Sequence, residues 1–226
     1  MESAEADGKD DATVRRLVTA LQTLFAWPRL PWAFLGVTAV AIVIQCHAAW
    51  RDVLIYDRAA IVRGEAWRIW TGHLIHFGWP HFVIDAGLFL ILGRLLERDF
   101  PVATRTALVA LPAFISGWMF LLDPGMGRYG GLSAVNLGLL VFMAAQGWQK
   151  NWTDWFWPGV LLIYIGEVVL EISAGHGHGG GMIRFDDPSI HVATSAHIAG
   201  ALYGVALAVV VVLARRRAAA GRAPRA

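Results

Sequence analysis

Long apolar runs separated by short polar or charged segments dominate the chain. They lie near residues 30–49, 79–97, 102–122, 131–149, 155–173 and 190–214. Each is close to the roughly 20 residues that an α-helix needs to cross the hydrocarbon core of a bilayer. The pattern therefore predicts an all-α membrane protein, a bundle of six transmembrane helices.

Tryptophans mark many ends of these runs. An indole ring has an apolar body and one N–H donor, so it favours the level of the lipid headgroups. Most of the aromatic content is therefore expected in a belt at the membrane surface. The tryptophans near predicted helix ends are Trp27, Trp32, Trp50, Trp79, Trp148, Trp152, Trp155 and Trp157.

The composition supports a membrane protein. Of the 226 residues, 57% are hydrophobic and only 16% are charged, which is too apolar for an ordinary soluble domain. A single cysteine, Cys46, excludes an intramolecular disulfide, and its place in an apolar run indicates a packed thiol.

Charge indicates the orientation. Five arginines fall within residues 215–226, after the last apolar run, and positive residues favour the cytoplasmic side. We therefore expect residues 1–28 to form a disordered cytoplasmic tail and residues 215–226 a basic cytoplasmic one. Two termini on one side require an even number of spans, which six satisfies. Four arginines at 50–70, in a loop that this topology places outside, argue against it. Nothing in the pattern predicts a nucleic-acid surface.

Polar residues interrupt three of the apolar runs. Ionisable groups inside a membrane are costly and usually face the protein interior or a water-filled cavity. In the predicted topology all three sites lie at the outer face, where they can converge. They comprise His73, His76, His81 and Asp85 in "HLIHFGWPHFVIDAG", Ser133 and Asn136 in the fourth run, and His197 in the sixth.

Small residues predict how two of these runs pack. Ala134 and Gly138 on the fourth, and Ala196, Gly200 and Gly204 on the sixth, allow close approach of two backbones. That packing brings Ser133 and His197, each beside a small-residue face, within reach of one another.

A serine beside a histidine is a potential nucleophile with its base. Gly130 and Gly131 leave the backbone open ahead of Ser133, so peptide N–H groups there, together with His81, can stabilise an oxyanion. Taken singly, each residue has a plainer interpretation: Ser133 as a helix N-cap and His197 as a hydrogen-bonded packing residue. Their coincidence at one membrane face favours the chemical interpretation.

At these residues the sequence resembles the rhomboid family of intramembrane serine proteases, over roughly residues 60–210. "GEAWRIWTGHLIHFGWPHFVID" resembles the family's loop and second helix, "YGGLSA" its GxSG nucleophile motif and "AHIAGALYG" its AHxxGxxxG base motif. The resemblance implies a six-helix membrane domain over 29–214. It implies Ser133 as nucleophile, His197 as base and His81 as an oxyanion-hole contributor, with Asp85 and Gly131 in support.

The same resemblance implies that Trp67 and Arg68 are structural, and it exposes three departures. Asp85 stands where the family has asparagine, and a carboxylate repels an oxyanion unless it is protonated or turned toward His81 or His76. Ala134 replaces a glycine, and Leu137 stands where many members have an aromatic residue that stacks on the base.

The compact form and the segment "TGHLIHFGWPH" are similar to rhombosortases, bacterial relatives thought to process proteins with GlyGly-CTERM tails. The expected function is cleavage of transmembrane or C-terminally anchored proteins near the outer face of a bacterial inner membrane. The expected partners are those substrates and the lipid bilayer, with no nucleic acid and no cofactor. Oligomeric state stays open.

Two other classes of function remain. A catalytically inactive relative that binds membrane-protein clients would account for Asp85 and Ala134. A metal or haem protein is suggested by eight histidines and by "GHGHGGG" at 175–181, although histidines two apart among glycines have no fixed geometry and indicate a flexible loop. No metal ligand is therefore expected.

Overall fold

The chain folds as a bundle of helices. The structure, a computed structural model, describes residues 30–173 and 193–221. Its α-helices are α1 (Trp32–Cys46), α2 (Arg51–Leu54), α3 (Arg58–Val62), α4 (Arg68–Thr71), α5 (Trp79–Asp99), α6 (Pro101–Leu122), α7 (Ser133–Lys150), α8 (Phe156–Ser173) and α9 (Thr194–Ala220). Single 3₁₀ turns cover Ala48–Trp50 and Gly72–Leu74, and two short strands, β1 (Tyr56–Asp57) and β2 (Arg128–Tyr129), pair antiparallel.

The helices α1 and α5 to α9 fall on the predicted apolar runs, and the prediction of an all-α membrane bundle is confirmed. Within the described residues, α5, α6 and α9 are long and apolar enough to span a bilayer, and α1 joined to the next short helices, across a bend of 103°, is a possible fourth span. The number of six spans stays a prediction. In α7, Asn136 and Gln146 are buried by neighbouring helices, so this helix can lie inside the bundle without a uniformly apolar surface.

Helix α7 occupies the centre of the bundle. It packs against α9, α8, α5 and α6, and its residues from Ala134 to Leu140 are all buried. The core around it combines Leu139 and Phe142 with apolar side chains of α5 and α6, including Phe89 and Ile115. A helix held on several sides offers a rigid support for any functional group at its end.

Where α7 and α9 cross, their backbones are in direct contact. A Cβ atom added to Gly138 would lie 2.7 Å from the carbonyl oxygen of Gly200. A Cβ on Gly200 would collide with the carbonyl of Ala134, and one on Gly204 with that of Gly138. The predicted packing through small residues is thereby confirmed.

The segment between α1 and α5 differs most from expectation, because it is folded rather than an open loop. Arg68, only 5% exposed, donates hydrogen bonds to the carbonyls of Asp52 and Ile55, each at 2.8 Å, and pairs with Glu65 at 2.7 Å. Arg58 donates to the carbonyl of Phe120 at 2.6 Å. Two of the four arginines here therefore hold the fold, and their charge is a poor guide to orientation.

The ends of the membrane domain also differ in detail. Helix α9 continues past the predicted boundary at residue 214 to Ala220, and the Arg215 guanidinium lies 4.5 Å from the centre of the Phe100 ring. The predicted tail at 1–28 and the glycine- and histidine-rich segment at 175–181 lie outside the described residues.

Candidate active site

Ser133 is the first residue of α7, and the backbone before it is held in place by pairing. Tyr129 of β2 pairs with Tyr56 of β1, fixing the segment that leads into the helix. Gly131 then turns the chain with a φ of +127°, a conformation that side-chain-bearing residues rarely adopt. A Cβ on Gly131 would also lie 3.2 Å from Nε2 of His81. Glycine is therefore required at this position by both conformation and space.

His197 lies in the first turn of α9 and is buried. Its Nδ1 lies 2.9 Å from the carbonyl oxygen of Ala193. Since a carbonyl can only accept, Nδ1 carries the proton and Nε2 of the neutral ring keeps a lone pair. This is the form in which a histidine can accept a proton from a serine.

The crossing of α7 and α9 sets the relation of Ser133 to His197. Ser133 directly precedes Ala134, whose carbonyl touches Gly200, and His197 lies three residues before Gly200 on the same helix. The two side chains thus occupy adjoining helix ends. Among the described residues their approach is set by this packing, and no direct hydrogen bond joins the Ser133 hydroxyl to His197.

Asp85 is the centre of a buried polar cluster. One of its oxygens, Oδ2, lies 3.1 Å from Nε2 of His81 and 3.4 Å from Nε2 of His76. The same oxygen accepts the peptide N–H of Leu132 at 3.1 Å, so the cluster joins α5 to the residue before Ser133. Asp85 therefore faces both His81 and His76, the two histidines toward which it was expected to turn.

His81 points its N–H at Asp85. Its Nδ1 accepts the backbone N–H of Phe77 at 3.4 Å, so in the neutral ring the proton is on Nε2. That nitrogen is the one that faces the Asp85 carboxylate. The N–H groups of His81 and Leu132, both suited to an oxyanion, therefore donate to a carboxylate in this structure.

The polar cluster also lies near His197. The Asp85 carboxylate acts electrostatically on His197, so the polar parts of α5 and α9 face one region. Asn136 of α7 donates to the backbone carbonyl of Asp85 at 2.9 Å, which ties α7 to α5 one turn below Ser133. The polar residues of α5 and α7 are thus in contact and those of α9 face the same region, whereas their common location at the outer membrane face stays a prediction. The catalytic roles of these residues stay predictions.

Three contributors escaped the sequence-based reasoning. Tyr129 donates its hydroxyl hydrogen to the carbonyl of Gly131 at 3.0 Å and lies beside the Ser133 hydroxyl. Burial, and then the nearby Asp85 charge, raise the pKa of Tyr129, so it stays neutral. Tyr164 of α8 donates to the carbonyl of Ser133 at 2.8 Å. The sequence pattern marks His76 only as a polar residue. No spacing rule links His76, Tyr129 or Tyr164 to Ser133.

His73, by contrast, contacts none of the three cluster residues among the described contacts, although its ring packs edge-on against Tyr129, with ring centroids 5.2 Å apart. It is buried against α6, with Nε2 3.2 Å from the Pro112 carbonyl and 3.1 Å from Oγ of Ser116. Burial lowers the pKa of His73 to about 4, so it is neutral at physiological pH. It holds the segment before α5 onto α6.

One further peptide group is available for an oxyanion. The N–H groups of a helix's first turn have no partner within the helix, and the Ser133 N–H takes part in none of the described hydrogen bonds. It lies at the positive end of α7, where the helix dipole favours negative charge.

The membrane domain is similar in sequence to known proteins. A family model described as "Rhomboid domain" matches residues 63–214. The chain is 28% identical over 183 residues to the rhomboid protease GlpG of Serratia proteamaculans, covering 77% of this chain and 60% of the relative. It is 24% identical over 184 residues to GlpG of Yersinia pestis, covering 76% and 62%, and 26% identical over 157 residues to GlpG of Salmonella newport, covering 70% and 52%. The chain thus spans between half and two thirds of these relatives.

Proposed function

The chain belongs to the rhomboid family, and from that premise we propose that it is an intramembrane serine protease with Ser133 as nucleophile and His197 as general base. The observation that carries the proposal is the α7–α9 crossing. It sets the first residue of α7 beside a histidine whose Nε2 carries a lone pair.

The proposed reaction is acyl transfer in two steps. Ser133 Oγ attacks the substrate carbonyl while His197 Nε2 takes its proton, and the protonated His197 then gives that proton to the leaving amine. Water, deprotonated by His197, next attacks the ester carbon and releases the carboxylic acid and Ser133. The Ala193 carbonyl holds His197 Nδ1–H throughout and favours the imidazolium.

The oxyanion would form near the start of α7. The proposed donors are the His81 Nε2–H and the Ser133 N–H, which has no partner among the described hydrogen bonds, with Gly131 leaving the space beside them open. Asp85 now accepts the His81 and Leu132 N–H groups. We therefore propose that the Asp85 carboxylate turns away from these donors when the oxyanion forms, because two anionic oxygens at these donors would repel one another.

The substrate follows from the location of Ser133 at the end of α7. In the proposed orientation, with both termini cytoplasmic in a bacterial inner membrane, that end faces outward. The client is a transmembrane or C-terminally anchored protein, cut near the outer face where its helix can unwind. Glycine next to the cut lowers the cost of unwinding by about 1 kcal/mol relative to alanine. Processing of GlyGly-CTERM tails, as proposed for a rhombosortase, is the narrower form of this proposal.

Labelling with a fluorophosphonate tests the nucleophile. The purified protein should react at one serine, and Ser133→Ala should abolish the reaction while Ser116→Ala, at a buried serine outside the cluster, should not. Equal labelling of the Ser133→Ala variant would overturn the assignment.

An inactive client-binding relative is the second candidate, and one observation favours it. Asp85 occupies donors that an active protease needs for the oxyanion. The same probe distinguishes the two: a folded protein that does not label, but retains a transmembrane client on purification, would support the binding function instead.

A further inference from the structure

Three potential metal-ligand atoms converge in the buried cluster. They are Nε2 of His76, Nε2 of His81 and Oδ2 of Asp85, and all lie within 4.8 Å of one another. The carboxylate oxygen is 3.1 Å from one nitrogen and 3.4 Å from the other. The expectation of a metal-free protein rested on residues 175–181, which share no member with this cluster.

These separations fit one small divalent ion. Zinc binds histidine nitrogen and carboxylate oxygen at roughly 2.0–2.2 Å, so two ligand atoms of a tetrahedral site lie about 3.3 Å apart. We propose that His76, His81 and Asp85 form a zinc-binding site with an open fourth position. Two neutral imidazoles and a carboxylate suit Zn(II) better than the harder Mg(II) or Ca(II).

His76 already has the form of a metal ligand. Its Nδ1 lies 3.2 Å from the carbonyl oxygen of Leu74, which accepts the Nδ1 proton and leaves Nε2 with its lone pair toward Asp85. Histidines that bind metals usually donate their other N–H to such a carbonyl or carboxylate, which fixes the tautomer and orients the ring. His81 would change tautomer, giving up its acceptance of the Phe77 N–H, a long contact at 3.4 Å, and its Nε2–H donation to Asp85.

Space beside the cluster is created by Gly131. A Cβ there would lie 3.2 Å from His81 Nε2 and 3.6 Å from Asp85 Oδ2, so the absence of a side chain leaves both ligand atoms open on that side. The ion would replace the Leu132 N–H, which donates to Asp85 Oδ2 at 3.1 Å and to His76 Nε2 at 3.4 Å. In return it neutralises a buried carboxylate, which is costly to leave charged in a dry interior.

The metal site does not depend on the proposed protease function, but it has a consequence for it. A bound ion would take the His81 nitrogen and the Asp85 oxygen that border the proposed oxyanion site. Zinc would then act as a reversible inhibitor, and its removal by a chelator would restore cleavage.

Titration of the purified protein in detergent with ZnCl₂, and with Co(II) as a coloured substitute, tests the site. The background chain carries His176→Gln and His178→Gln, so that these two histidines contribute no binding. One Zn(II) per chain, and the visible absorption of four-coordinate Co(II), are expected. His76→Gln, His81→Gln and Asp85→Asn should each weaken binding at least about tenfold.

Two variants serve as matched controls. His73→Gln removes a buried histidine that is outside the cluster, and Ser133→Ala removes the neighbouring hydroxyl, so both should keep the affinity for Zn(II). Thermal unfolding checks that each variant is folded. If one of the His76, His81 and Asp85 variants is unfolded, the zinc affinities of the other two test the site. Absence of saturable binding below about 100 µM, or unchanged affinity in the folded ligand variants, would overturn the proposal.

Discussion

The two sides of the candidate active site are held by different kinds of contact. On one side, α7 and α9 touch through Gly138, Gly200 and Gly204, and the positions of Ser133 and His197 follow from backbone sterics. On the other side, Asp85 accepts from His81 and from the Leu132 N–H, which also donates to Nε2 of His76. Sterics of close-packed backbones cannot be adjusted, whereas hydrogen bonds among titratable groups respond to protons or ions. The side that holds Ser133 and His197 is therefore rigid, and the side that holds His76, His81 and Asp85 is adjustable.

Gly200→Val should break the rigid side and have the largest effect. Any Cβ at Gly200 collides with the Ala134 carbonyl, so α9 must move away from α7. We expect cleavage of a transmembrane reporter to fall at least about a hundredfold, because small displacements of catalytic groups have costs of that size. Gly117→Ala is the matched control, since a Cβ there meets nothing within 4 Å. Near-normal cleavage by Gly200→Val would show that the crossing does not set the site.

Acid should destabilise the polar side, through the buried His73 next to it. The pKa of His73 is 6.5 when unfolded and about 4 when folded, so the unfolded chain binds the extra proton between these values. Stability is full above pH 6.5 and falls toward pH 4, by about 3 kcal/mol for this group. Thermal unfolding in detergent at pH 7.5 and 4.5 measures the loss, which should be smaller in His73→Gln. An equal pH dependence in both proteins would contradict this origin.

Asp85→Asn tests how the charge on the adjustable side affects cleavage. It removes the charge near the proposed oxyanion and keeps an oxygen that can accept from Leu132. We expect proteolysis to be preserved or raised, by up to about tenfold, or roughly 1.4 kcal/mol in barrier. Steady-state cleavage rates decide the matter. A fall of about a hundredfold or more would mean that the carboxylate has a positive role, such as orienting His81 or His76.

Tyr164→Phe should have the smallest effect. It removes the hydrogen bond from α8 to the Ser133 carbonyl, a contact at 2.8 Å that belongs to neither side. The expected loss is about 1 kcal/mol of stability, with cleavage changed less than about tenfold. A change beyond a hundredfold, with the melting temperature unaltered, would place Tyr164 in the chemistry itself.

The long helices and the α7–α9 packing could be predicted because their signals are local. Apolar runs of bilayer length and small residues one turn apart depend only on helix geometry. The number of spans is harder to predict. Helix α7 buries Asn136 and Gln146 against neighbouring helices, so its apolar content does not show whether it contacts lipid or protein.

The polar cluster could be predicted only in part. The four-residue spacing of His81 and Asp85 placed them on one helix face, whereas His76 contacts Leu132, and Tyr164 contacts Ser133, from distant parts of the chain. The fold of residues 47–78 was missed for a similar reason. It depends on the hydrogen bonds of Arg68 to carbonyls that no periodicity marks.

The most direct test of the account is cleavage of a single-span reporter by the purified protein in lipid, comparing the unaltered chain with Ser133→Ala and His197→Ala. Each variant should lose activity by at least about a thousandfold and the double variant should lose no more, because the two residues act as a unit. Melting temperatures should be unchanged within a few degrees. Retention of near-normal cleavage by either folded single variant would contradict the central claim.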